Sequence, residues 1–111
     1  MRLFRVGPLP EGALQAAAAF HAEVLQEILD LLNSPPSEED LIILFPPAPS
    51  DHRGWRVALV QDLARAAAPA RVNAVVGEDG QSLDATLAWL DAAPGVTGQL
   101  LALDGNSGGN G

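Results

Sequence analysis

Residues 71–80 read RVNAVVGEDG. Val72, Ala74, Val75 and Val76 form an apolar run, Asn73 interrupts it, and a Gly-Glu-Asp-Gly turn closes it. Continuous apolar runs bounded by turn residues suit strands covered on both faces, as in a parallel sheet. A polar amide inside such a strand needs partners, because an unpaired buried amide costs about 1–3 kcal/mol. Asn73 therefore reads first as a core amide bonded to neighbouring backbone.

Working outward, LIILF (41–45) is a second run of this kind, bounded by acidic residues and by PPAPS. Between the two strands, Ser50 or Asp51 is placed to cap a helix over 53–68, with Trp55, Leu59, Val60 and Leu63 on its inner face. Pro69 follows its end. Upstream, RLFRV (2–6) alternates as a short strand and GPLPEG breaks it. From Ala13 to Leu32 the apolar residues Leu14, Ala17, Phe20, Val24, Leu25, Ile28, Leu29, Leu31 and Leu32 recur at helical spacing. That predicts an amphipathic helix of about five turns with a wide apolar face, stopped by NSPPSEED (33–40).

Downstream, Ser82 is placed to cap a helix over 83–92 carrying Leu87, Trp89 and Leu90. PGVTG breaks it, QLLAL (99–103) is a last strand, and DGNSGGNG is a polar tail. The order predicts one α/β domain over 1–105, about four parallel strands alternating with three helices, and a flexible Gly/Asn tail at 106–111.

Composition narrows the function. The net charge is −8 and the six basic residues are all Arg, so there is no basic stripe for nucleic acid or an anionic membrane. Without cysteine, thiolate chemistry and Cys-based metal sites are excluded. The acidic clusters SEED (37–40) and GEDG (77–80) match no metal-loop spacing and read as solvated turns. MRLFRVGPLP lacks the apolar core of a signal peptide, and a soluble cytoplasmic protein is the default expectation.

Two stretches in this order, LARAAAPARVNAV (63–75) and GVTGQLLALDG (95–105), resemble the C-terminal half of the short-chain dehydrogenase/reductase family. There, an Ala-rich helix leads into a strand ending R-V-N-A-V, and a V-T-G-Q-x-L-x-L-D-G segment forms the last strand. The resemblance covers about Leu41 to Gly105, and more loosely reaches back to Ala13, whose helix would be the family's fourth. It implies a partial Rossmann-like sheet in two or three layers. It also assigns structural roles to Asn73, Asp104 and Gly105, with the Asn amide tying neighbouring backbone together.

The departures from the family matter equally. Its chemistry is hydride transfer with a nicotinamide cofactor, using a Tyr-x-x-x-Lys pair and a Ser. Aligned on Ala58, the Tyr position falls at His52 and the Lys position at Arg56, and this chain contains neither Tyr nor Lys. The Ser position falls at Pro46 or Pro47, and the family's helix Asn falls within AAAAF (16–20). No Gly-rich dinucleotide fingerprint is present, and Glu78 and Asp79 place negative charge where phosphates would lie. His52, Arg56 and Asp51 are the remaining catalytic candidates, with His52 expected to be exposed at a helix start. No cofactor or metal of its own is expected.

A half-sheet implies association. Right-handed crossovers progressing one way put their helices on one face, which would leave Ile42, Leu44, Val72, Val75 and Leu100 bare on the other. An apolar patch of that kind is rare on monomers, and RLFRV would be an open edge. The expected function is a non-catalytic subunit acting as a homo-oligomer (dimer or tetramer) or with a full-length reductase relative. The alternative is an oxidoreductase, or part of a split one, whose partner supplies the nicotinamide-binding half.

Overall fold

A computed structural model describes residues 1–36 and 38–103. Its sheet contains β1 (Arg2–Arg5), β2 (Leu41–Phe45), β3 (Val72–Val76) and β4 (Leu100–Ala102), all parallel and in the order β1-β2-β3-β4. The α/β fold class and the strand order along the chain agree with the sequence reading. β2 is buried at all five positions, as its unbroken apolar run requires. Asp104, Gly105 and the tail at 106–111 lie outside the described residues.

The first helix runs as α1 (Ala13–Ala19), a π-helical turn (Phe20–Val24) and α2 (Leu25–Asn33). Helix α3 spans Arg53–Ala67 after a 3₁₀ turn at Ser50–His52, and neither has a side-chain cap from Ser50 or Asp51. Helix α4 spans Gln81–Asp91 with Gly80 at its N-cap, so Ser82 lies inside the first turn rather than capping it.

Two apolar layers sandwich the sheet. On one face Phe20, Ile28 and Leu32 of the first helix, with Leu59, Val60 and Leu63 of α3, cover Leu41, Ile43, Phe45, Val72 and Ala74. On the other face Leu83 and Leu90 of α4 cover Ile42, Leu44 and Val75. Each strand's alternation accounts for this split, since odd and even residues point to opposite faces.

This corrects the expectation of a bare face. Ile42, Leu44, Val72 and Val75 are buried and Leu100 is half-buried, all within this chain. Both β2-α3-β3 and β3-α4-β4 advance the sheet in the same direction, yet their helices lie on opposite faces, so the two crossovers have opposite hands. The rule of uniformly right-handed crossovers holds for at most one of them. Trp89 is 55% exposed rather than covering the sheet, and Leu83 takes the inward position.

A polar clamp closes the amino ends of β2 and β3. Asp40 accepts from the Arg71 backbone N–H at 2.8 Å and from its Nε at 2.8 Å, while Arg71 Nη1 donates to the Leu90 and Ala93 carbonyls. Burial pushes the Asp40 carboxyl up; the backbone and guanidinium hydrogen bonds and the charge of Arg71, with the amino terminus, outweigh it and hold the group below the usual carboxylate range. α4 is thereby tied to the sheet at its last turn.

Candidate functional site

At the opposite, carboxyl end of the strands, loops from β1 and β2 part to leave a cleft of about 480 Å³. Leu9, Pro10 and Glu11 form one wall and Pro46, Pro47, Ala48 and Pro49 the other, with His52 and Arg56 at its base. Ligands in open α/β sheets bind outside this end of the strands. A smaller recess of about 140 Å³ shares Ala48, Pro49, His52 and Arg56 and extends to Arg53, Val76 and Leu100.

His52 and Arg56 sit one helical turn apart and each is only 3% exposed. The sequence expectation of an exposed His52 is corrected. The 3₁₀ turn before α3 carries it inward, in line with Arg56, Leu59 and Leu63 at three- and four-residue spacing. His52 Nε2 lies 2.8 Å from the Glu11 carbonyl, which only accepts, so the neutral ring carries its proton on Nε2. Its Nδ1 is buried with no partner among the described residues.

Arg56 has unusual surroundings for a cation. Its Nη1 donates to the Pro46 carbonyl at 3.1 Å, its guanidinium lies 4.6 Å from the Phe45 ring centre and 5.6 Å from that of Trp55, and its Nε is buried without a partner among the described residues. Burial pushes the guanidinium down from its ordinary value. Among the described residues no carboxylate lies within 4.0 Å of it, whereas Arg2, Arg5, Arg65 and Arg71 each pair with one.

Asp51 is exposed, with Oδ1 at 4.0 Å from His52 Nε2, a proton already directed at Glu11. The three catalytic candidates are thus adjacent in space, but only His52 and Arg56 line the cleft. A backbone carbonyl, that of Glu11, completes the arrangement. It carries no sequence signal, because any residue supplies one.

Glu78 and Asp79 flank a separate recess together with Arg5, Pro46 and Gly77. The hydrogen bond from Arg5 to Asp79, 2.8 Å from Nη2, lowers the carboxyl's pKa and raises that of the guanidinium. Gly77 is required there by space, since a Cβ would lie 2.8 Å from Leu103 Cβ. Among the described residues no cluster of three or more His, Asp and Glu is arranged to hold a metal.

Asn73 is 2% exposed, donates Nδ2 to the Val96 carbonyl at 3.0 Å and accepts from the Gln99 backbone N–H at 3.0 Å. It joins β3 to the loop that feeds β4, as a satisfied core amide. It lies away from the cleft.

A family model described as SDR-like, short chain dehydrogenase-like protein, matches residues 4–103. No curated protein and no solved structure matches this chain.

Proposed function

The chain belongs to the short-chain dehydrogenase-like family, and on that premise we propose that it is a non-catalytic member that works by association. The carrying observation is the state of His52 and Arg56, which stand at the family's Tyr and Lys positions. The Nε2 proton of His52 is committed to the Glu11 carbonyl and Nδ1 is buried. Arg56 stays protonated and spends Nη1 on the Pro46 carbonyl. The His52 proton is turned away from a substrate, and Arg56, although its Nη2 can still donate a hydrogen bond, does not release a proton near neutral pH, so neither serves as a general acid.

Two further observations support the reading. The four strands run in unbroken order, so among the described residues there is no point of reversal, where dinucleotides bind in such sheets. Glu78 and Asp79 occupy the turn after β3, and with Asp79 paired to Arg5 a net negative charge remains there, where a pyrophosphate would meet it.

Association is supported by the first helix. Leu14 is 82% exposed, Ala18 and Ala22 are also exposed, and Leu25 and Leu29 are half-buried, recurring every three to four residues. This stripe lies beside the residues that cover the sheet, and a second copy offering the same stripe would bury it. With α4 covering the other sheet face, the helix stripe and the edges of β1 and β4, each paired on one side only among the described residues, are the surfaces that support a partner.

The purified chain, offered NADH or NADPH with a range of aldehydes and ketones, is expected to give no cofactor oxidation above the buffer rate. Turnover abolished by His52→Ala would overturn the non-catalytic reading. Turnover appearing only on mixing with a full-length family member would favour a split enzyme instead.

A further inference from the structure

From the unpaired buried cation at the base of the cleft, we propose that this chain binds a small monocarboxylate with an apolar body, held through its carboxylate by Arg56. The inference is independent of how the chain associates. Burying a charge is costly unless it is paired, and four of the six arginines here have a carboxylate partner. Arg56 is the most buried of the chain's arginines and among the described residues has none. Nη1 has one carbonyl, and among the described residues Nη2 has no hydrogen-bond partner.

A planar guanidinium with donors to spare matches a planar carboxylate. Arg56 also stands in the first turn of α3, a fifteen-residue helix, where the helix dipole favours negative charge. Leu9, Pro10, Pro46, Pro47 and Ala48 supply apolar walls. The cleft volume of about 480 Å³ lies within the range of roughly 300–1,000 Å³ usual for small-molecule sites.

Charge and size select the ligand further. Glu11 lines the same cleft and the whole chain carries −8, so dianionic phosphates and dinucleotides are repelled more strongly than a monoanion. A small monocarboxylate with an unbranched or cyclic hydrocarbon body satisfies both the cation and the proline-lined walls.

Trp55, 5.6 Å from the Arg56 guanidinium, provides the reporter. In a Trp89→Phe background it is the sole tryptophan, and its emission is followed while sodium hexanoate is added, with hexanamide and inorganic phosphate as controls. Hexanoate is expected to give a saturable change, and hexanamide and phosphate at least tenfold weaker responses. Arg56→Met is expected to abolish the hexanoate response while raising the melting temperature by several degrees, because it removes a buried charge that has no carboxylate partner among the described residues. Arg56→Lys keeps the charge and is expected to weaken binding at least tenfold without abolishing it. Equal responses to hexanoate and hexanamide, an unaltered affinity in Arg56→Met or Arg56→Lys, or no saturable change in the parent would each overturn the proposal.

Discussion

Replacing Asn73 by Ala is expected to cost about 3 kcal/mol in urea or thermal unfolding. The substitution leaves the Val96 carbonyl and the Gln99 N–H without their side-chain partners, and each orphaned group costs about 1–3 kcal/mol. The loss falls at a joint. Gly98 N–H donates to the Val72 carbonyl at 2.7 Å, Ala74 N–H to the Gln99 carbonyl at 2.8 Å, and Val72 N–H to Thr97 Oγ1 at 3.1 Å. Two backbone–backbone bonds and one to the Thr97 hydroxyl straddle Asn73, so the loop that leads into β4 is pinned to the start of β3 with the amide at the centre of the joint. Hydrogen exchange is expected to quicken at Gln99 to Ala102 before the rest of the sheet. Asn73→Asp separates hydrogen bonding from size: one carboxylate oxygen can still accept from Gln99, while the other faces the Val96 carbonyl without a proton. It is expected to be destabilising at neutral pH and partly relieved in acid. Full stability of Asn73→Ala would show that the amide does not secure β4.

Phe20→Ala is expected to be the more severe change, about 4 kcal/mol, within the range of roughly 3–5 kcal/mol for emptying a buried aromatic site. Phe20 is wholly buried, with ring centres 5.6 Å from Phe45 and 5.4 Å from Trp55, and those two are 5.7 Å apart. Three elements meet in that cluster: the π turn of the first helix, the end of β2 and the start of α3. Tertiary packing, more than propensity, decides whether such a helix forms, so removing its anchor loosens the wall of the cleft as well. For a domain of this size, 4 kcal/mol corresponds to a fall of about 15 °C or more in Tm. A Tm within a few degrees of the parent would mean that the ring cluster does not form.

Both predictions concern residues whose burial was legible in the sequence. Asn73 stood inside an apolar run, and Phe20 lay on the helical stripe from Leu14 to Leu32. The strand of LIILF, the four-strand order and the helix beginning at residue 53 were equally legible, because each is written in local periodicity. Three features were not. The face on which α4 lies depends on crossover hand, which no local pattern encodes, and the general rule pointed the wrong way. The bare sheet face inferred from that rule is covered by Leu83 and Leu90.

His52 was the second. Its neighbours Asp51 and Arg53 are exposed, which made the segment read as a polar helix start. A signal did exist: His52, Arg56, Leu59 and Leu63 share the spacing of one helix face. Weighing that spacing above the polar neighbours would have placed both residues inward. The third was the Glu11 carbonyl opposite His52, a backbone group that no residue type announces.

Burial of His52 and Arg56 also reshapes the comparison with the family. His52 and Arg56, which the sequence resemblance sets at the family's Tyr and Lys positions, line a cleft here, the histidine held through a backbone carbonyl and the arginine lying over Phe45 and Trp55. Exposed Leu14 and Trp89 leave apolar surface on two separate helices, and single exposed residues of this kind are ordinary. The stripe through Leu14, Ala18 and Ala22 is what separates association from that ordinary background.

The central claim, function through association without a nicotinamide cofactor, is tested most directly by the mass of the chain in solution, measured by light scattering over a range of concentrations with and without excess NADPH. The account predicts a mass of two or four chains that NADPH leaves unchanged and that Leu14→Glu reduces to one. A single-chain mass at high concentration, or an assembly that forms only when NADPH is added, would contradict it.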